Sequence, residues 1–104
     1  MKKIINISEQ FSRSPAGRYI KDGPYSGEAF RSKLLVPALN EADEVEVQLD
    51  GALGFGSSFL EEAFGGLVRV EHVSKHTLEK KLKISSRLKI YEKEIWKYIS
   101  DASV

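Results

Sequence analysis

Residues 44–49, Glu-Val-Glu-Val-Gln-Leu, alternate strictly between polar and apolar, the period-two pattern of a strand with one buried face. Lys3 to Ser8 is short and β-branched and predicts a first strand, and Lys81-Leu82-Lys83-Ile84-Ser85 alternates again and predicts another. Three stretches carry the helical period instead. Phe30, Leu34, Leu35 and Ala38 share one face between about Gly27 and Leu39, with Ser26 placed to cap the start. Pro37 lacks a backbone donor and is expected to kink or shorten the last turn of that helix. Phe59, Leu60, Ala63, Phe64 and Leu67 form a second apolar face, on which Gly65-Gly66 either ends the helix or lets it press closely on a neighbour. From about Arg87 to Asp101 a third stripe collects Leu88, Tyr91, Ile95, Tyr98 and Ile99, with Trp96 at its edge and Ile90 off it.

Between these elements lie breakers. Residues 11–27 hold Ser12, Ser14, Pro15, Gly17, Asp22, Gly23, Pro24, Ser26 and Gly27, with Gly17-Arg18-Tyr19-Ile20 a candidate brief strand among them. Asn40 to Asp43 reads as a loop, and Glu71 to Glu79 as a polar connection. The order predicts one α/β domain over 1–104, with a mostly parallel or mixed four-stranded sheet, right-handed crossovers and about three helices packed against it. No internal repeat or low-complexity segment interrupts that order.

Composition narrows the function classes. At 104 residues the chain has room for a single core. Its 16 basic and 15 acidic residues leave a net charge of +1, so no global field draws nucleic acid or an anionic membrane. There is no cysteine, which removes disulfides, thiolate metal sites and cysteine nucleophiles together. The opening Met1-Lys2-Lys3-Ile4-Ile5-Asn6-Ile7 is too briefly apolar for a signal peptide, and no stretch reaches the length of a membrane span. A cytoplasmic location is expected.

The densest candidate chemistry runs from Asp50 to Val70, a glycine-punctuated loop that ends in two serines opening a helix. Helix starts attract anions and glycines allow close approach, so this segment is a binding loop, a phosphorylation site or a tight packing turn. Ser58-Phe59-Leu60-Glu61 fits the capping box, which predicts Ser58 as the helix cap and leaves Ser57 more exposed beside Gly56. Asp50 lies at the carboxyl end of its strand, where ligands and partners sit in open α/β sheets, or else closes its own turn at Gly51. Arg18, Arg31 and Arg69 are candidate forks for a phosphate or carboxylate, with Asp22, Ser26 and Glu28 around the start of the first helix. No phosphate-loop signature accompanies the glycines. His72 and His76 are four apart but have no acidic partner at a familiar spacing, so neither a metal site nor a hydrolytic triad is expected. No cofactor is implied.

Gly17-Arg18-Tyr19, the run from Asp22 to Arg31, Leu49-Asp50-Gly51 and the run from Ser57 to Arg69 together resemble the bacterial STAS-like domain family of unknown function, over roughly residues 3 to 100. Gln48 departs from the family pattern, which often carries a second acid before Leu-Asp-Gly. The resemblance implies the STAS fold of anti-sigma-factor antagonists, in which a partner kinase phosphorylates a serine at the start of the helix after a central strand and so switches binding off. Ser57 or Ser58 stands at the comparable place, although Gly56 replaces the acid that precedes that serine in the antagonists. The leading expectation is therefore a non-enzymatic protein-interaction module, switched by phosphorylation and partnered by a GHKL-type ATPase or kinase. The alternative is a small-molecule or nucleotide-binding protein, an enzyme among the options, with Arg18, Asp22, Arg31 and Asp50 lining a pocket between the two glycine turns. A homodimer through Trp96 and Ile90 is a third arrangement.

Overall fold

In the computed structural model, residues 1–103 are described. Three strands, β1 (Lys2–Asn6), β2 (Glu44–Gln48) and β3 (Leu82–Ser85), form one sheet in the order β1-β2-β3. Both pairings are parallel, with Ile5 beside Val47 and Val47 beside Ile84. The sheet thus has three parallel strands, not a mixed four. The expected strand at Gly17–Ile20 is absent because the chain turns there: Asp22 Oδ2 accepts the Tyr19 N–H at 2.9 Å, and Ile20–Asp22 closes into a short 3-10 turn.

Five helices accompany the strands, against the three expected. The first, α1 (Ile7–Gln10), follows directly on β1, with the Asn6 side chain accepting from Glu9 N–H as its cap. The second, α2, is continuous over residues 27–41, in which Gly27–Phe30 is α-helical, Arg31–Leu35 is a π-helical turn and Val36–Glu41 is α-helical again. Ser26 caps it as expected, its buried hydroxyl accepting from Ala29 N–H. Pro37 neither ends nor shortens α2. The widened turn before it sends Val36 N–H back to Arg31 O, so the ladder is already re-registered where proline removes a donor.

The third helix, α3, covers residues 57–69 and has the same build, with Ser57–Leu60, a π-helical turn Glu61–Gly65, and Gly66–Arg69. Within the polar stretch expected to be a connection, α4 (Lys75–Lys81) is held by Ser74, which accepts from Thr77 N–H, and it buries only Leu78. The last helix, α5 (Lys89–Ala102), buries Ile95 and Ile99. Leu88, placed by periodicity on that stripe, precedes the helix and is exposed.

Strand alternation puts Ile5, Val45, Val47, Leu82 and Ile84 on one face, and all are buried with Phe30, Leu35, Phe59, Leu60, Phe64 and Leu67 in one core. The other face carries Lys2, Ile4, Asn6, Glu44, Glu46, Gln48, Lys83 and Ser85, none of them buried. Lys2 bridges Glu44 and Glu46 there. The molecule is two-layered, with helices over a single face of the sheet. Among the described residues no helix is long and apolar enough to cross a membrane.

Candidate functional site

Because the strands are parallel, the segments that leave their carboxyl ends gather along one edge of the sheet. The segment after β2 is tied down at several points. Gly51 adopts φ +103°, a conformation that favours glycine, and its Cα lies against Ser8. Asp50 Oδ1 accepts the Arg87 N–H at 3.0 Å, which joins this loop to the one after β3. Leu53 N–H donates to Arg13 O. Phe55 stands edge-on to Tyr91, centroids 5.2 Å apart, and packs on Phe59 at 5.9 Å. At its tip Leu53 is 79% exposed, and Leu88 and Ile90 are exposed on the adjoining segment.

The serines that follow differ from the expected capping box. Gly56 is the N-cap of α3, extended at φ −74° and ψ 156°, and no side chain caps the helix. Ser57 and Ser58 are the first two residues inside it, both exposed. The helix starts one residue earlier than a Ser58 cap requires, and Glu61, the residue that would return the reciprocal bond, is held by Arg18 and Arg69. Ser58 is the second residue inside the helix and does not cap it, so the first amides of α3 have neither an intrahelical acceptor nor a side-chain cap.

The three arginines do converge, around carboxylates of the chain itself. Arg31, 4% exposed, donates from Nη1 to Glu62 Oε2 at 2.8 Å and to the Glu62 carbonyl, and from Nε to Glu71 at 3.0 Å. Arg18 reaches Glu61 and Glu62, and Arg69 reaches the same two. Burial pushes the Glu61 carboxyl up, but hydrogen bonds from Arg69 and Arg18 outweigh it and hold the group below the ordinary glutamate range. Hydrogen bonding to Glu61 raises both arginines in turn.

The cluster sits where the π-helical turns of α2 and α3 face each other, with Arg31 first in one and Glu61-Glu62 first in the other. Gly66 permits the approach, since a methyl group there would overlap the Arg31 guanidinium. Gly65-Gly66 thus lies inside the helix at a close contact and does not end it. Asp22 and Ser26 are spent on local turns, the first accepting from Tyr19 N–H and the second from Ala29 N–H. Of the four residues expected around an anion, the structure brings Arg18 and Arg31 together on Glu62 and leaves Asp22 and Ser26 outside that contact.

Glu61, Glu62 and Glu71 were not singled out as partners by the sequence pattern. The available signal is an acidic pair set into a run that is otherwise apolar from Phe59 to Gly65-Gly66. His72 lies in the turn after α3 with φ 61°, whereas His76 is inside α4, so the two do not share a helix face. Among the described residues no group of three or more His, Asp or Glu is assembled as for a metal ion.

A family model described as a STAS-like domain of unknown function matches residues 26–87. That span runs from the Ser26 cap through both π-helical turns, the glycine loop and β3 to Arg87. No curated protein and no solved structure matches.

Proposed function

The chain belongs to the STAS-like domain family of unknown function, and from that premise we propose that it is a non-enzymatic protein-interaction module of regulatory type. Its contact surface is the carboxyl edge of the sheet, built from the loop Asp50–Gly56, the start of α3 and the exposed Leu53, Leu88 and Ile90. Ser57 and Ser58 are its modification sites. A single observation carries this reading: both serines stand exposed at a helix start that no side chain caps, beside an exposed apolar rim. Apolar side chains held out of the core on a tied-down loop suit contact with another protein.

Phosphate on either serine brings close to two negative charges to the positive end of the α3 dipole. The helix start has no side-chain cap to compete for its amides, which favours tolerance of an anion there. On the turn that follows the serines, Glu61 already engages Arg18 and Arg69. The added charge therefore acts chiefly outward, on an approaching partner. A GHKL-type ATPase or kinase is the partner class that the resemblance to anti-sigma-factor antagonists implies.

The test is incubation with such an ATPase and ATP, followed by intact mass and size exclusion. A phosphoryl adduct that moves or disappears in Ser57→Ala and Ser58→Ala, with a complex lost on phosphorylation, supports the proposal. No adduct and no complex overturn it.

A further inference from the structure

The sheet ends at β3, and its outer edge borders a groove of about 450 Å³ that α4 and α5 help to line. Apolar surface in the groove comes from Leu82, Ile84 and Trp96, and its rim carries Lys75, Lys83, Glu79 and Glu92. Leu49 N–H donates to Ser85 O. By the alternation of a parallel ladder, Lys83 and Ser85 turn their backbone groups to β2, while Leu82 and Ile84 turn theirs outward. Leu82 N–H returns to Leu78 O in α4. The N–H and C=O of Ile84 and the C=O of Leu82 are left as an open template for another strand.

We propose that this edge is a self-association surface, occupied by β3 of a second copy running antiparallel about a two-fold axis at Ile84. Charge selects the occupant. The rim holds two cations and two anions, so a partner of either single sign meets repulsion from half of it. A second copy brings the same balanced set, and a net charge of +1 imposes little repulsion between copies.

Charge also selects the register. Outward-facing residues pair either as Ile84 with Ile84 or as Leu82 with Ile84. The second arrangement opposes Lys83 to Lys83 at roughly 4.5 Å between Cα atoms, a destabilising like-charge pair. The first opposes Lys83 to Ser85. A stable interface needs roughly 800 Å² from each partner, more than a four-residue strand offers. The remainder comes from α5, where Glu92, Trp96 and Ser100 line the groove in one stripe. The same axis sets two such stripes antiparallel, with Trp96 near the centre.

The surface is independent of the serine switch and is tested separately. Sedimentation equilibrium of the full chain from micromolar to millimolar concentration is expected to show a monomer–dimer transition. Trp96→Glu, and separately Ser100→Arg, are expected to leave a folded monomer by far-UV circular dichroism. The chain has no cysteine of its own, so a Lys83→Cys/Ser85→Cys variant reports the register cleanly, and mild oxidation is expected to yield a covalent dimer. A chain that stays monomeric at millimolar concentration overturns the proposal. So does a dimer that survives both groove variants and does not cross-link. A monomer whose β3 amide resonances shift instead on addition of a valine–threonine strand peptide shows a foreign occupant and equally overturns it.

Discussion

Replacing Glu62 with alanine removes the side chain that faces Arg31 at 2.8 Å while both groups are 4% exposed. The guanidinium keeps the Glu62 carbonyl and Glu71, but its nearest compensating charge is gone from a site that water does not reach. Breaking a buried ion pair from one side costs about 3–5 kcal/mol, whereas replacing both members with apolar groups of similar volume is often neutral. Glu62→Ala is therefore expected to lower the unfolding free energy by about 3–5 kcal/mol, a large part of the roughly 5–15 kcal/mol of a small domain.

The double variant Arg31→Met/Glu62→Leu is expected to be more stable than Glu62→Ala alone, although each change deletes a charge. Glu62→Gln keeps an acceptor and loses the charge, for an intermediate cost of about 1.5–3 kcal/mol. The assay is urea unfolding followed by far-UV circular dichroism and Trp96 fluorescence, at one fixed protein concentration so that self-association does not enter the comparison. A loss below about 1 kcal/mol in Glu62→Ala, or a double variant whose loss equals the sum of its singles, would refute the reasoning.

Other outcomes follow from the same geometry. Ser26→Ala deletes a buried cap and is expected to cost about 1 kcal/mol or more, while Ser58→Ala, which deletes none, stays within about 0.5 kcal/mol; equal losses in thermal unfolding contradict the cap assignment. Glu61 is held below its ordinary value of 4.5, so its contribution is complete above that pH and is lost as pH falls through the lower folded-state value. Glu61→Gln is expected to flatten the acid limb of a stability-versus-pH curve, and an unchanged limb contradicts this. Gly66→Ala gains helix propensity but drives a methyl into Arg31, for a net loss of about 1–3 kcal/mol in chemical unfolding. A stabilised variant would mean that Arg31 moves aside freely.

Elements with a strong one-sided pattern were legible from the residues. Val45 and Val47 fix β2, and Phe59, Leu60, Ala63, Phe64 and Leu67 all reach the core as their spacing requires. Helix α4 escaped because it buries only Leu78, so no apolar period exists for it to display. The apparent strand at Gly17–Ile20 failed because a local bond from Tyr19 to Asp22 satisfies the backbone without a neighbouring strand. Local spacing also assigned Glu61 to a capping box. Arginines more than forty positions earlier and eight later in the chain claimed it instead, a competition that a four-residue motif does not record. An acidic pair on a helix ordinarily faces water. Here its depth depends on Gly66 admitting Arg31, which is a property of two helices together.

The all-parallel ladder also governs how the chain must come together. Each strand meets its partner across about 40 residues, Lys2 with Glu44 and Val45 with Leu82, so no hairpin is available to start the sheet. During synthesis β1 has no edge to join until Gln48 has emerged, and β2 lacks β3 on its other side, and α4 against it, until Ser85 follows. Sheet formation is consequently non-local, since every strand pairing closes a loop of about 40 residues. The interval in which bare strands wait for their cover is the period in which this chain is most exposed to aggregation.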